Sequence, residues 1–244
     1  MSGSCFAERI GDHLDLTEVE QKALHSLEER ERNVKRGGVL VRENDPATEI
    51  FILRKGLMMS YVLLDDGSRQ ILRFLFPGDM VGAGGLVYHE GPETIVALAD
   101  SVVCPFDKTS LATLMETHPR LAAMILVYAQ IERVALTDRL AALGRTSAKA
   151  RVAALLLEMR NRYRVMDKAI GGEFVLGLTQ EEIGDATGLT AVHVNRMLRQ
   201  LEDDRLISRE GGRVKFTDEK ALMRAANYVD RYENLDLSWL PKAK

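Results

Sequence analysis

The sequence predicts an α+β protein: an N-terminal antiparallel β-domain, then a long helix, then a C-terminal winged helix-turn-helix. Three observations carry that prediction. Runs rich in Val, Ile, Leu, Phe and Tyr recur about 10 to 15 residues apart between Lys35 and Asp107, separated by turn residues. Apolar side chains return at spacings of three and four from Leu121 to Leu143. Two short amphipathic segments meet at a glycine inside residues 178 to 207.

Each element follows from local chemistry. Thr17, with Glu20 three residues on, opens a short leading helix over residues 17 to 30 that repeats Val19, Leu24 and Leu27. From Lys35 the turn signals Asn44-Asp45-Pro46, Lys55-Gly56, Asp65-Asp66-Gly67, Pro77-Gly78-Asp79 and Gly91-Pro92 divide the chain into strands of a β-sandwich or barrel over residues 35 to 107. Ser110 then opens a short helix and Pro119 the long one, which Gly144 ends. The long stripe either lies on its own β-domain or pairs two chains. Its six or so turns exceed what one small sheet covers, which favours a homodimer held by Leu121, Met124, Ile125, Tyr128, Ile131 and Ala135. Thr146 or Ser147 caps the next helix, to about Arg164, and residues 171 to 177 form a short strand. The domains are thus 1–118 with the leading helix, 119–144 for dimerisation, 145–220 for the winged motif, and a helical extension over 221–244.

Composition excludes several classes. The chain has 244 residues, is 46% hydrophobic and 28% charged, and has 19 Gly and 6 Pro, which is the make-up of a folded protein with a real core. No apolar run approaches the roughly 18 residues of a membrane span, and Glu8, Asp12 and Asp15 stand where a secretory signal would be basic and apolar. A cytoplasmic location with no membrane partner is expected. Two cysteines, Cys5 and Cys104, cannot supply a disulfide framework or a four-cysteine metal site. The net charge of −3 is uneven: residues 1–118 hold 12 Lys/Arg against 19 Asp/Glu, and residues 145–220 hold 14 against 12. A polyanion would be met by the second half.

The motif is specific in that half. In LTQEEIGDATGLTAVHVNRMLRQLEDDRLI, Thr179 and Glu182 make a capping box and Ile183 and Ala186 face inward. Gly188 supplies a left-handed turn, and Thr190 caps a second helix that buries Val194, Met197, Leu198 and Leu201. Such a second helix enters the DNA major groove, its first turns facing base edges. The outward face holds Ala191, Val192, Asn195, Arg196 and Arg199, with Thr179, Gln180, Thr190 and His193 beside it. Arg196 suits a bidentate contact to guanine, Asn195 an adenine or phosphate, and Arg199 a phosphate. The hairpin around Gly211-Gly212 makes a wing, either structural or touching phosphates through Arg209, Arg213 and Lys215.

Through DDGSRQILRFLFPGDMVG (65–82), the connecting helix and TQEEIGDATGLTAVHVNRMLRQLEDDRLI (179–207), nearly the whole chain resembles the CRP/FNR superfamily of bacterial transcription regulators. The resemblance implies a β-roll sensor like a cyclic-nucleotide-binding domain, a homodimer on a palindromic promoter site, and RNA polymerase as partner. It matches Arg196 to the arginine that contacts a half-site guanine. It places Val192 where the family has its recognition glutamate, and Ala191 where the cyclic-AMP receptor has another arginine. The glutamate and Arg-Ser pair that hold a cyclic nucleotide fall at Ala83, Thr94 and Ile95. Independently, no Lys or Arg lies between Phe74 and Asp107 to meet an anionic phosphate. The run Gly82-Ala83-Gly84-Gly85 can offer backbone N–H groups to some other effector or be a plain turn. Iron–sulfur members of the family use four cysteines; Cys104 aligns with the inner one and only Cys5 remains. Neither cyclic AMP nor an iron–sulfur cluster is therefore expected, no metal site is assigned, and the effector has no name. Cys104 is expected as a buried small residue, with a redox thiol as the lesser alternative, and haem ligation by His89 or His118 is a remote one. The rival class is a metal-dependent, cupin-like enzyme on the β-domain, but the five histidines are scattered and no catalytic residues are assigned.

Overall fold

The computed structural model describes residues 3–233 and 235–243, which fall into two units. Among the described residues the first comprises 3–63, 72–131 and 235–243, and the second 64–71 and 132–233.

The first unit is a two-sheet β-domain flanked by helices. Helix α1 (Cys5–Gly11) and α2 (Glu18–Ser26) lead into β1 (Arg32–Val34), β2 (Val39–Val41), β3 (Ile50–Lys55), β4 (Met58–Leu63), β5 (Arg69–Leu75), β6 (Met80–Val81), β7 (Thr94–Ala97) and β8 (Ser101–Phe106). One sheet has the order β1-β8-β3-β6 and the other β2-β7-β4-β5. Strand β3 pairs antiparallel with β8, Ile52 opposite Cys104, and β4 with β7, Ser60 opposite Ile95. Inward residues of both sheets, among them Phe51, Leu53, Met58, Leu75, Val81, Ile95 and Val103, form the core. Cys104 is fully buried in β8, and burial pushes its thiol up to about 11, as it does that of Cys5.

Helix α1 has no counterpart in the sequence reading. Ser4 caps it by accepting from the Ala7 N–H (2.9 Å), and the Ser4 hydroxyl donates to the buried Glu28 carboxylate. That carboxylate also accepts from the N–H groups of Cys5 (3.2 Å) and Phe6 (3.0 Å). Arg9 pairs with Asp79 in the β5–β6 turn while its guanidinium lies 4.6 Å from the centre of the Tyr128 ring. Gly78 beside Asp79 has φ of 84°, and a Cβ there would sit 2.9 Å from the Cys5 carbonyl oxygen.

Helix α3 (Lys108–Thr117) begins one cap earlier than expected. Asp107, not Ser110, is the N-cap, accepting from the Ser110 N–H at 2.7 Å, because a carboxylate competes well for the free amides of a first turn. Helix α4 starts at Pro119 as expected but runs through Gly144 to Arg145.

The interface assignment on α4 requires correction. Leu121, Met124, Tyr128 and Ile131 are buried within the chain itself, and the Tyr128 hydroxyl donates to the Arg9 carbonyl (2.7 Å). Ile125 and Ala135 are half-buried. The stripe left open is Leu126, Ala129, Leu136 and Leu140, with half-buried Ala122 one turn before it; Leu140 is 71% exposed. The spacing of four, three, seven and four is that of a coiled-coil seam. The helix is apolar on two faces, and periodicity cannot tell the face its own domain covers from the face left open.

In the second unit, α5 (Ala148–Met166), capped by Ser147, and β9 (Glu173–Val175) precede α6 (Gln180–Thr187) and α7 (Ala191–Asp203). Strands β10 (Ile207–Glu210) and β11 (Arg213–Phe216) form the wing, and β9 pairs with β11. Segment 64–71 belongs here through Arg69, which pairs with Asp185 of α6 at 2.6 Å. Helix α8 (Glu219–Ala226) is far shorter than the helical extension expected over 221–244. Asn227 turns left-handed (φ 48°) and the Tyr228 N–H closes on the Met223 carbonyl, a C-terminal stop that asparagine tolerates. Asp230 and Arg231 after it pack within the same unit: Asn161 donates to Asp230 (2.6 Å) and Arg231 grips both Asp138 oxygens (2.6 and 3.0 Å).

Candidate nucleic-acid interface

The apolar face of the motif is satisfied by its own unit. Ile183 and Ala186 of α6 and Val194, Met197, Leu198 and Leu201 of α7 are buried. Thr179 and Glu182 form the capping box on α6, Gly188 adopts φ of 66°, and Thr190 caps α7 by accepting from the His193 N–H.

Two determinants were missed in the sequence reading. Gly184 is buried, and a Cβ on it would lie 2.4 Å from the Leu189 carbonyl oxygen, so the crossing of the two helices needs a bare backbone there. The signal was a glycine in mid-helix, costly by propensity and so in want of a packing reason. Gly184→Ala is expected to destabilise the second unit by about 1 to 3 kcal/mol. An unchanged urea midpoint for this variant would show that the turn relaxes freely. The other determinant is Arg151 of α5, whose guanidinium donates to the carbonyls of Thr187 (2.8 Å) and Thr146 (3.0 Å), holding the end of α6.

What remains outward is a compact set. Thr179, Gln180, Thr190, Val192, Arg196 and Arg199 are exposed, and Ala191, His193 and Asn195 are half-buried at the first turns of α7. No hydrogen bond or ion pair engages the guanidinium of Arg196 or Arg199 among the described residues. Several other arginines of the unit are committed, Arg160 to Glu219, Arg164 to Glu233, Arg209 to Glu202 and Arg213 to Glu173, while Arg145, Arg205 and Arg224 stay without a side-chain partner among the described residues. The wing therefore neutralises Arg209 and Arg213 internally, and of its three cations Lys215 alone lacks a partner among the described residues. With two free guanidiniums beside the amide-rich start of a helix, the α7 face is suited to an anion carrying base edges.

The β-domain candidates are only partly brought together. Gly82, left-handed at φ of 74°, leads into a single 3-10 turn, Ala83–Leu86. Gly82, Gly84, Gly85 and Ile95 line a cavity of about 140 Å³; Ala83 and Thr94 do not. The Thr94 hydroxyl instead accepts from the Glu43 N–H (3.1 Å). Two cations the sequence reading did not place here, Arg32 and Arg42, join the wall from β1 and the end of β2. Arg32 is already bound to Glu49 (2.7 Å) and Glu93 to Arg73 (3.0 Å), which leaves Arg42 facing Asp45 in the wall and no net positive charge to meet a phosphate. The cavity has under half the roughly 300 Å³ at the lower end of small-molecule sites. A cyclic nucleotide, which such a domain implies, does not fit the residues present: volume and charge oppose it, and Ile95 brings only an apolar side chain to the wall. A four-cysteine cluster fits no better, with two cysteines in the chain. Among the described residues no three His, Cys, Asp or Glu side chains gather where they could hold a metal ion, and no helix is long and apolar enough to cross a membrane.

Comparison with known proteins follows the same division. Residues 31–118 match the family model of the cyclic nucleotide-binding domain, and residues 150–225 that of the Crp-like helix-turn-helix domain. The anaerobic regulatory protein of Pasteurella multocida is 28% identical over 219 residues, covering 90% of this chain and 80% of that one. The transcriptional activator protein Anr of Pseudomonas aeruginosa is 28% identical over 205 residues, 84% of each chain. Among solved structures, FixK2 of Bradyrhizobium japonicum superposes with a TM-score of 0.73 at 28% identity, covering 82% of this chain and 98% of that one.

Proposed function

The chain belongs to the CRP/FNR superfamily of transcription regulators, and from that membership we propose that it binds a pseudo-palindromic DNA site as a homodimer, one α7 to each half-site. That it is a DNA-binding transcription regulator follows from the family; the reading of the residues is ours. The observation that carries it is the outward face of α7, where Arg196 and Arg199 are exposed and unpaired together on a helix whose other face is buried in its own unit. Arg196 reads a guanine, Asn195 an adjacent base or phosphate, and Arg199, with Thr179, Gln180 and the Thr190 cap, holds the backbone. His193 lies beside the turn, close to the same phosphates.

The open seam of Leu126, Ala129, Leu136 and Leu140 supports pairing of two copies along α4, the family being one of dimers. Two α7 helices related by a two-fold axis then face successive major grooves, about 34 Å apart. RNA polymerase is the proposed partner at a promoter, and the cytoplasm the place of action. Any signal acts by shifting the population of dimer arrangements rather than through a cyclic nucleotide held in the usual way.

The test is selection of bound duplexes from a randomised pool by the purified full-length protein. An enriched palindrome with half-sites one helical turn apart is expected. Affinity for it should fall with salt along a line whose slope is about −0.9 for each phosphate neutralised. A pool with no enriched motif from a demonstrably dimeric sample would overturn the reading.

A further inference from the structure

The position that carries a carboxylate in the family's usual recognition helix carries an apolar side chain here. Val192 is the second residue of α7, and at 83% exposed it is the most exposed large hydrophobic side chain among the described residues. Nothing in its own unit covers it, though the four apolar residues that α7 uses for packing are buried. Asn195 and Arg196, three and four residues on, lie on the same face, which places their Cβ atoms about 5 to 6 Å from that of Val192. Base pairs follow one another at about 3.4 Å. A base met by Val192 is therefore one or two steps from the base met by Arg196.

Resting on the reading of α7 as the base-contacting helix, we propose that Val192 reads the C5-methyl group of a thymine one or two base pairs from the guanine held by Arg196. The methyl group is the one apolar feature on a major-groove base edge, and contact with the isopropyl group removes both from water. A cytosine there lacks that methyl group, and its N4 amino group finds no acceptor on valine, just as thymine O4 finds no donor, so the methyl contact is what separates the two bases. A glutamate at this position would reverse that preference by accepting from the same amino group. The site accordingly differs from one read by glutamate at one base pair in each half-site, while the guanine of Arg196 is kept.

The experiment compares synthetic duplexes of the selected palindrome that carry thymine or uracil at the candidate position in both half-sites. Uracil pairs identically and lacks only the methyl group. Each buried methyl is worth about fourfold in affinity, so full-length protein is expected to bind the uracil duplex roughly 15-fold more weakly. Val192→Ala, at an exposed position that folding does not use, should bind the thymine and uracil duplexes about equally while still selecting guanine. Cytosine duplexes should gain affinity for the unaltered protein when the cytosine is 5-methylated. Equal binding of thymine and uracil duplexes at every position within two steps of the guanine would overturn the proposal, as would an undiminished thymine preference in Val192→Ala. Either result leaves guanine selection by Arg196 standing. Loss of all selection, guanine included, would instead remove the base-contacting reading on which the proposal rests.

Discussion

Arg196→Ala is expected to lose about 1 to 3 kcal/mol of discrimination at one base pair in each half-site, and twice that over a palindrome bound by two chains. Binding to random duplexes should fall far less, since it depends on the phosphate contacts that remain. The side chain is exposed and unpaired on α7, so its removal leaves no orphaned partner and the fold is unaffected. Arg196→Lys separates charge from geometry. It keeps the cation but not the planar fork that grips guanine O6 and N7 together, so it should retain binding to random DNA and still lose the guanine preference. Titration of both variants against the selected site and a scrambled duplex, at one salt concentration, checks this. An equal loss on both duplexes in Arg196→Ala would make Arg196 a phosphate contact and move base reading elsewhere on the helix.

Asp79→Ala is expected to destabilise the first unit by about 3 to 5 kcal/mol. Asp79 is 1% exposed and Arg9, its ion-pair partner, 9%, so truncation takes a buried counter-charge away from the Arg9 guanidinium. The Phe76 N–H, which donates to the other carboxylate oxygen at 2.8 Å, loses its acceptor as well. For a chain of this size the melting temperature should fall by about 6 to 20 °C, at roughly 2 to 4 °C per kcal/mol. Replacing both members, as Arg9→Met with Asp79→Leu, should recover much of that loss, because the penalty comes from one uncompensated charge more than from the pair's own attraction. Calorimetry of the two single variants and the double variant checks this; additive losses would show that the pair is not coupled.

Much of this architecture is legible locally. The strands between Lys35 and Asp107, the start of α4 at Pro119, the capping box on α6 and the left-handed Gly188 all follow from side-chain period and turn chemistry, which act over a few residues. The buried and outward faces of α7 follow too, because a short amphipathic helix has one apolar face and therefore one way to lie. The candidate base-contacting residues were visible for that reason.

Elsewhere the local pattern runs out. Periodicity on α4 marks apolar residues without saying which stripe the β-domain takes, so the open seam became clear only once Tyr128 was seen bonded to Arg9. Spacing leaves the wing open between a structural role and contact with phosphates, and the pairing of Arg209 with Glu202 and of Arg213 with Glu173 is set by the fold. Arg32 and Arg42 joined the β-domain cavity from strands distant in sequence. Local spacing thus dictates the kind of each element and the outward face of α7, since these depend on neighbours along the chain. Which charges are neutralised, which apolar face is covered and how small the cavity is depend on residues brought together from afar, and for them the tertiary structure alone supplies the answer.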